Sequence, residues 1–157
     1  MNNNYLGMVE KFHNTFGAPV LDTPQIPSKE RCNLRIKLLQ EELDELKDAI
    51  ENNDLVEVCD AFCDIQYILS GSILEFGVGD KFNDLFNEVQ RSNMSKACTS
   101  QQEAIETLSH YKQKDGTEGY YKEVDGKWLV YRTSDNKVLK SINYSPANLK
   151  DILNMVK

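Results

Sequence analysis

Apolar residues recur along this chain with helical rather than strand spacing for most of its length. Tyr5, Met8, Val9, Phe12 and Phe16 fall on one side of a short helix over 5–16. The segment from Gly17 to Pro27 holds Pro19, Pro24 and Pro27 and reads as a loop. Ser28 is placed to cap a second helix running to about Ile50, with its stripe at Ile36, Leu39, Leu43, Leu46 and Ile50. Asn52-Asn53 breaks it, and Asp54 can cap the next. The third helix, from about Leu55 to Phe76, is apolar around most of its circumference, which predicts central burial. Gly77 and Gly79 end it. A fourth helix is expected from Asp80 to about Ser95, and a fifth from Gln101 to Lys112 behind a Ser100 cap.

After Gly116 the pattern changes. Tyr120–Val124 and Trp128–Tyr131 flank Asp125-Gly126, a favoured two-residue hairpin turn. Lys137–Ile142 predicts a third strand, and Pro146 opens a last helix to Val156. The expected fold class is all-α: a helical bundle over 1–114 and a small β appendage with a terminal helix over 115–157.

Composition narrows the partners. The formal net charge is −7, a poor basis for binding a nucleic acid polymer or a membrane surface. No apolar run reaches a membrane span and no secretory leader stands at the start, so a cytoplasmic location is expected. Cys32, Cys59, Cys63 and Cys98 form no C-x-x-C pair and read as reduced core thiols.

The acids carry the chemistry. Glu41, Glu42 and Glu45 form E-E-x-x-E on the second helix; Glu57 and Asp60 form E-x-x-D on the third, with Asp64 one turn on. Folding the two helices about Asn52-Asn53 sets Glu45 opposite Glu57 and Glu42 opposite Asp60, because both pairs share a midpoint at 51. Leu38 then faces Asp64, leaving Asp64 beyond the centre of the cluster. Lys37 and Lys47 lie on other faces. Like charges so placed repel and resist desolvation; the remedies are protonation or a hard cation such as Mg²⁺ or Mn²⁺. A solvated acidic face is the plainer reading of either motif alone. The E-x-x-D on an apolar helix weighs against it.

The paired motifs resemble the all-α nucleotide pyrophosphohydrolase superfamily. Phe12-His13-x-x-Phe16-Gly17, Leu34-Arg35-x-x-Leu38-Leu39-x-Glu41-Glu42-Leu43 and Phe86–Lys96 are similar to its MazG-like, phosphoribosyl-ATP pyrophosphohydrolase-like subgroup. So is the tail, with Gly126-Lys-Trp and Lys137-Val-Leu-Lys140-Ser-x-x-Tyr144-x-Pro146. The resemblance implies hydrolysis of a nucleoside triphosphate between the α and β phosphates, with Mg²⁺ or Mn²⁺. It implies metal ligands at Glu42, Glu45, Glu57 and Asp60, and a general base at Glu41. Asn93, Lys96, Arg91 and Arg35 are the implied substrate contacts, with the two arginines equally suited to surface ion pairs. Asp64 and His13 are additional candidates, His13 at the surface or a pocket edge. Phe12 and Phe16 are expected in the core rather than on a base. The interval from Glu45 to Glu57 holds eleven residues, short for the family and enough for a tight helical turn.

A four-helix arrangement completed by a second chain, as homodimer or homotetramer, is the expected assembly. Two other functions stay open: phosphoribosyl-ATP pyrophosphohydrolase itself, and a non-catalytic module binding a nucleotide or a protein.

Overall fold

The computed structural model describes residues 4–154 and divides the chain into two compact units, 1–82 and 83–157. Six helices and a two-stranded antiparallel sheet are seen among the described residues, so the architecture is mostly helical with a small β element.

The first unit is built from α1 (Tyr5–Phe16), α2 (Lys29–Glu51) and α3 (Leu55–Glu75). Each helix begins where its capping chemistry predicts. Ser28 Oγ accepts from Arg31 N at 3.3 Å, and Asp54 Oδ1 accepts from Val56 N and Glu57 N at 3.0 and 3.2 Å. The turn between α2 and α3 is centred on Asn53, which takes φ +54°. That is a left-handed conformation asparagine adopts readily. The proline-bearing loop closes the other end of α3, where Leu21 N donates to Leu74 O and Gln25 N to Phe76 O. These bonds satisfy carbonyls the helix terminus leaves open. Gly77 sits against this loop with φ +67°; a Cβ there would lie 2.0 Å from Thr23 O, so no other residue fits.

The all-round apolar pattern of α3 overstates its burial. Its buried residues are Ala61 and, from Ser70 onward, the last turns; Leu55 and Val56 are 74% and 76% exposed and Phe62 is exposed as well. Within this unit α2 and α1 pack on α3 and leave its N-terminal half largely bare. Phe12 and Phe16 are likewise exposed, against the expected core placement; they contact each other, and Phe12 meets the edge of Tyr67 at 5.5 Å between centroids.

The second unit holds most of α4 (Phe82–Met94), then α5 (Gln101–Asp115), β1 (Gly119–Val124), β2 (Lys127–Arg132) and α6 (Leu149–Ile152). The hairpin turns at Asp125-Gly126 with φ +50° and +74°, the paired positive values of a type I′ turn. Its aromatics pack on one another: Tyr120 stacks on Tyr131, and Tyr121 meets Trp128 edge-on. The core joins Cys98, Ala104, Val130 and Leu139. Glu103 completes the α5 start; its N donates to Ser100 Oγ while its carboxylate accepts from Thr99 N, Thr99 Oγ1 and Ser141 Oγ.

Two expectations fail here. Lys137–Ile142 is not a third strand: one bridge joins Val138 to Tyr131, and the chain then leaves the sheet because Ser141 N donates to Lys96 O instead. The terminal helix begins after Asn148 rather than at Pro146 and has four residues; Val156 lies outside the described residues. All four cysteines are free, but only Cys98 is buried; Cys59 and Cys63 are exposed.

Candidate active site

The carboxylates gather where α2 and α3 run side by side in the first unit. Glu42 is the inner member. One of its oxygens, Oε2, is buried and has no hydrogen-bond partner. Burial chiefly, and then the charges of Asp64, Glu45, Glu41 and Asp60, push the Glu42 carboxyl above the ordinary carboxylate range. Glu41, Glu45, Asp60 and Asp64 are exposed around it.

The order of those charges corrects the expected register. Asp64, not Asp60, acts most strongly on Glu42, so Asp64 belongs to the heart of the group. The reason is the turn: residues 42 and 64 share a midpoint at Asn53, the left-handed residue, two positions beyond the centre the sequence suggested. Glu57 stands in the first turn of α3, exposed, and does not figure among the carboxylates acting on Glu42. Glu41 is not free of cations either, since Lys37 Nζ lies 3.3 Å from its Oε1. Lys47 pairs with Glu51.

The donor set is all oxygen, which suits a hard divalent cation. An orphaned buried carboxylate oxygen ringed by acids fits the same group, since a cation is what would satisfy it. As the side chains stand, no three His, Cys, Asp or Glu among the described residues are drawn together into a ready coordination shell.

Further along the same pair of helices, away from the α2–α3 turn, lies a network the sequence did not single out. Glu75 is 1% exposed and accepts hydrogen bonds from both Arg31 and Arg35. Burial pushes its carboxyl up, but the hydrogen bonds from Arg35 and Arg31 outweigh it and hold Glu75 below the usual range. Arg35 is therefore a buried structural cation rather than a surface ion pair, and its Nε has no partner. His13 is also buried, not at a pocket edge. Its Nδ1 donates to Pro19 O at 2.8 Å, which leaves Nε2 to accept from Arg35 Nη2 at 3.2 Å. Gly71 makes this possible: a Cβ there would come within 2.8 Å of both Arg35 and His13. The signals were present in the sequence, as two arginines four apart and one acid at the end of an apolar helix.

The remaining candidates lie in the second unit. Arg91 chelates Glu88 through Nε and Nη2 at 2.7 and 2.8 Å and reaches Ser145 and Pro146 O. Lys96 Nζ donates to Asn93 Oδ1 at 2.8 Å.

The phosphoribosyl-ATP pyrophosphohydrolase family matches residues 9–93, a span containing every one of the clustered acids. The chain belongs to this family. Membership carries a MazG-like helical fold and a nucleotide pyrophosphohydrolase-like function. An uncharacterized protein of Acanthamoeba polyphaga mimivirus is 26% identical, over 92% of this chain and 94% of its own length. The likeness to it extends past the family's matched span into the tail. Among the described residues no helix is long and apolar enough to cross a membrane.

Proposed function

We propose that the chain is a divalent-metal-dependent nucleotide pyrophosphohydrolase that cleaves the α–β phosphoanhydride bond of an NTP or dNTP. Water adds to the α phosphorus, the bond to the bridging oxygen breaks, and a nucleoside monophosphate and pyrophosphate leave with one proton released. The single observation that carries this reading is the orphaned Glu42 oxygen inside a ring of acids, in a chain of this family.

Glu42, Glu45, Glu57 and Asp60 would hold the metal, with Asp64 joining them. When bound, Mg²⁺ or Mn²⁺ neutralises the polyphosphate and lowers the pKa of a bound water. Glu41, exposed next to the half-buried Glu42, would take the proton from the attacking water. Its pair with Lys37 lies at the surface and is weak enough to release it. The Arg35–Glu75–His13 network ties α1, α2 and α3 together further along the hairpin.

The exposed N-terminal half of α3 supports assembly with a second copy, as homodimer or homotetramer, since an apolar face of this extent is rare on a monomer. Phosphoribosyl-ATP is the second substrate reading, favoured by the description of the matched family. Mn²⁺ titration followed by electron paramagnetic resonance tests the metal site. The expected result is saturable binding that Glu42→Gln weakens by about 10–100-fold. Equal binding by both proteins overturns the assignment.

A further inference from the structure

The apolar stripe of α2 is not the face that α2 buries. Ile36, Leu43 and Ile50 recur every seven residues and are exposed, while Leu39 and Leu46 beside them are half-buried. α3 repeats the pattern with Leu55, Phe62 and Leu69, and all six side chains are 40–74% exposed. The row that α2 turns toward α3 is Arg35, Glu42 and Ala49, and the answering row of α3 includes Ala61. Leu43 comes one position after Glu42 and Phe62 one after Ala61, which is about 100° round each helix. Glu41 and Asp60 come one position before, about 100° the other way. In an antiparallel pair of right-handed helices, one step forward on either helix turns to the same side of the pair. The hairpin therefore has two faces, with the acids on one and six large apolar side chains on the other.

The apolar face is built in rungs. With the turn centred at Asn53, Ile50 falls level with Leu55, Leu43 with Phe62, and Ile36 with Leu69. Successive rungs are about 10 Å apart along the helices. A seven-residue repeat is the one by which helices pack along one another over their length, so the surface fits helices rather than a loop or a sheet edge. Its partner must be two helices wide and three rungs long. Among the described residues only the hairpin itself meets that requirement. α1, α4 and α6 are too short to carry three residues at this spacing, and α5 offers Gln101, Leu108 and Asp115. The rows are also symmetric about the middle rung, so the face complements itself under a two-fold rotation.

We propose that the face formed by Ile36, Leu43, Ile50, Leu55, Phe62 and Leu69 docks on the same face of a second copy, middle rung against middle rung, with the acids of each chain turned outward. This rests on the assembly put forward above and narrows it. The contact is the back of the hairpin, with α2 contributing half, rather than the whole N-terminal half of α3. The acid cluster is then held by one chain and needs nothing from its partner. Val56 marks the difference: it is exposed on the same half of α3 but stands five positions before Ala61, off this face.

The test is sedimentation of the full chain beside Leu43→Gln and Val56→Gln, with circular dichroism to check that each is folded. Glutamine keeps the helix while removing the apolar contact. The parent is expected as a multiple of one chain. Leu43→Gln should raise the dissociation constant at least about 100-fold, because the contact is lost from both copies. Val56→Gln should sediment as the parent does. Ile36→Gln, on an end rung, makes the same test of α2 should Leu43→Gln fail to fold. Mn²⁺ binding, read by electron paramagnetic resonance, should be equal in the parent and the dissociated variant. A parent that is a single chain, its face covered from within or by another protein, overturns the proposal. So does assembly that survives both α2 variants, or that is lost in Val56→Gln, either of which leaves association through another part of α3. Mn²⁺ binding that disappears on dissociation overturns the outward placing of the acids. Absence of Mn²⁺ binding in the parent would defeat the proposed function, while sedimentation would still decide this face.

Discussion

Glu42 feels the charge of Asp64 across the α2–α3 hairpin more strongly than that of any neighbour on its own helix. The two helices thus bring carboxylates into mutual repulsion, and a protein without metal bears that cost. The sign follows from the raised Glu42 carboxyl. Its folded form holds a proton more tightly than the unfolded chain does, so stability is lost as pH rises from the ordinary carboxylate range through the raised value. Glu42→Gln should therefore raise the melting temperature of the metal-free protein at neutral pH by roughly 2–4 °C. Its nucleotide hydrolysis should fall by at least about 100-fold. Calorimetric scans and initial rates check the two halves. A variant that loses both stability and activity would make Glu42 a structural residue.

Glu75 behaves oppositely. It accepts from two arginines in a buried site, so its removal strands Arg35 beside His13. Glu75→Gln should cost about 3 kcal/mol or more of stability. Because the Glu75 carboxyl is held low, its contribution is full above the ordinary carboxylate range and fades as pH falls below it. Urea unfolding of parent and variant at pH 7 and pH 3.5 should show the gap closing in acid. A gap that widens in acid contradicts the network.

Glu88 ties the tail to α4. It is bonded first by Arg91 and then by Asn148 N, which lower its pKa to about 2. The tie is complete above the ordinary glutamate range and is released only as pH drops toward that value. In Glu88→Gln the backbone around 144–152 should exchange amide hydrogens faster at neutral pH, with α5 and the hairpin unchanged. Uniform exchange across the second unit would mean Glu88 supports the core rather than the tail.

The bare apolar face of α3 predicts association. Sedimentation of the parent should give a multiple of the 18.0 kDa chain mass, and Phe62→Asp should sediment as a single chain. A parent that is monomeric at micromolar concentration contradicts the assembly.

Element boundaries were legible because local chemistry sets them: Ser28, Asp54 and Ser100 cap the helices they precede, and Asp125-Gly126 turns the hairpin. The acidic motifs were legible too, since spacing alone puts Glu42 and Glu45 on one face. Register was not. Midpoint arithmetic assumes a symmetric turn, and the left-handed Asn53 moves the centre by two residues, drawing in Asp64. Burial was misread where tertiary partners decide it: His13 is buried beside Arg35, whereas Phe12, Phe16 and the start of α3 are exposed although their sequence is apolar. The tail lost its third strand because Ser141 finds Lys96 before it can extend the sheet.

The central claim is α–β cleavage at the Glu42 cluster. Its most direct test resolves products by ³¹P NMR after the protein meets Mg²⁺ or Mn²⁺ and each common NTP and dNTP, with dUTP and phosphoribosyl-ATP included. Monophosphate and pyrophosphate in equal amounts, absent in EDTA and in Glu42→Gln, are the predicted result. Stepwise release of orthophosphate, or silence across the panel with metal bound, would contradict it.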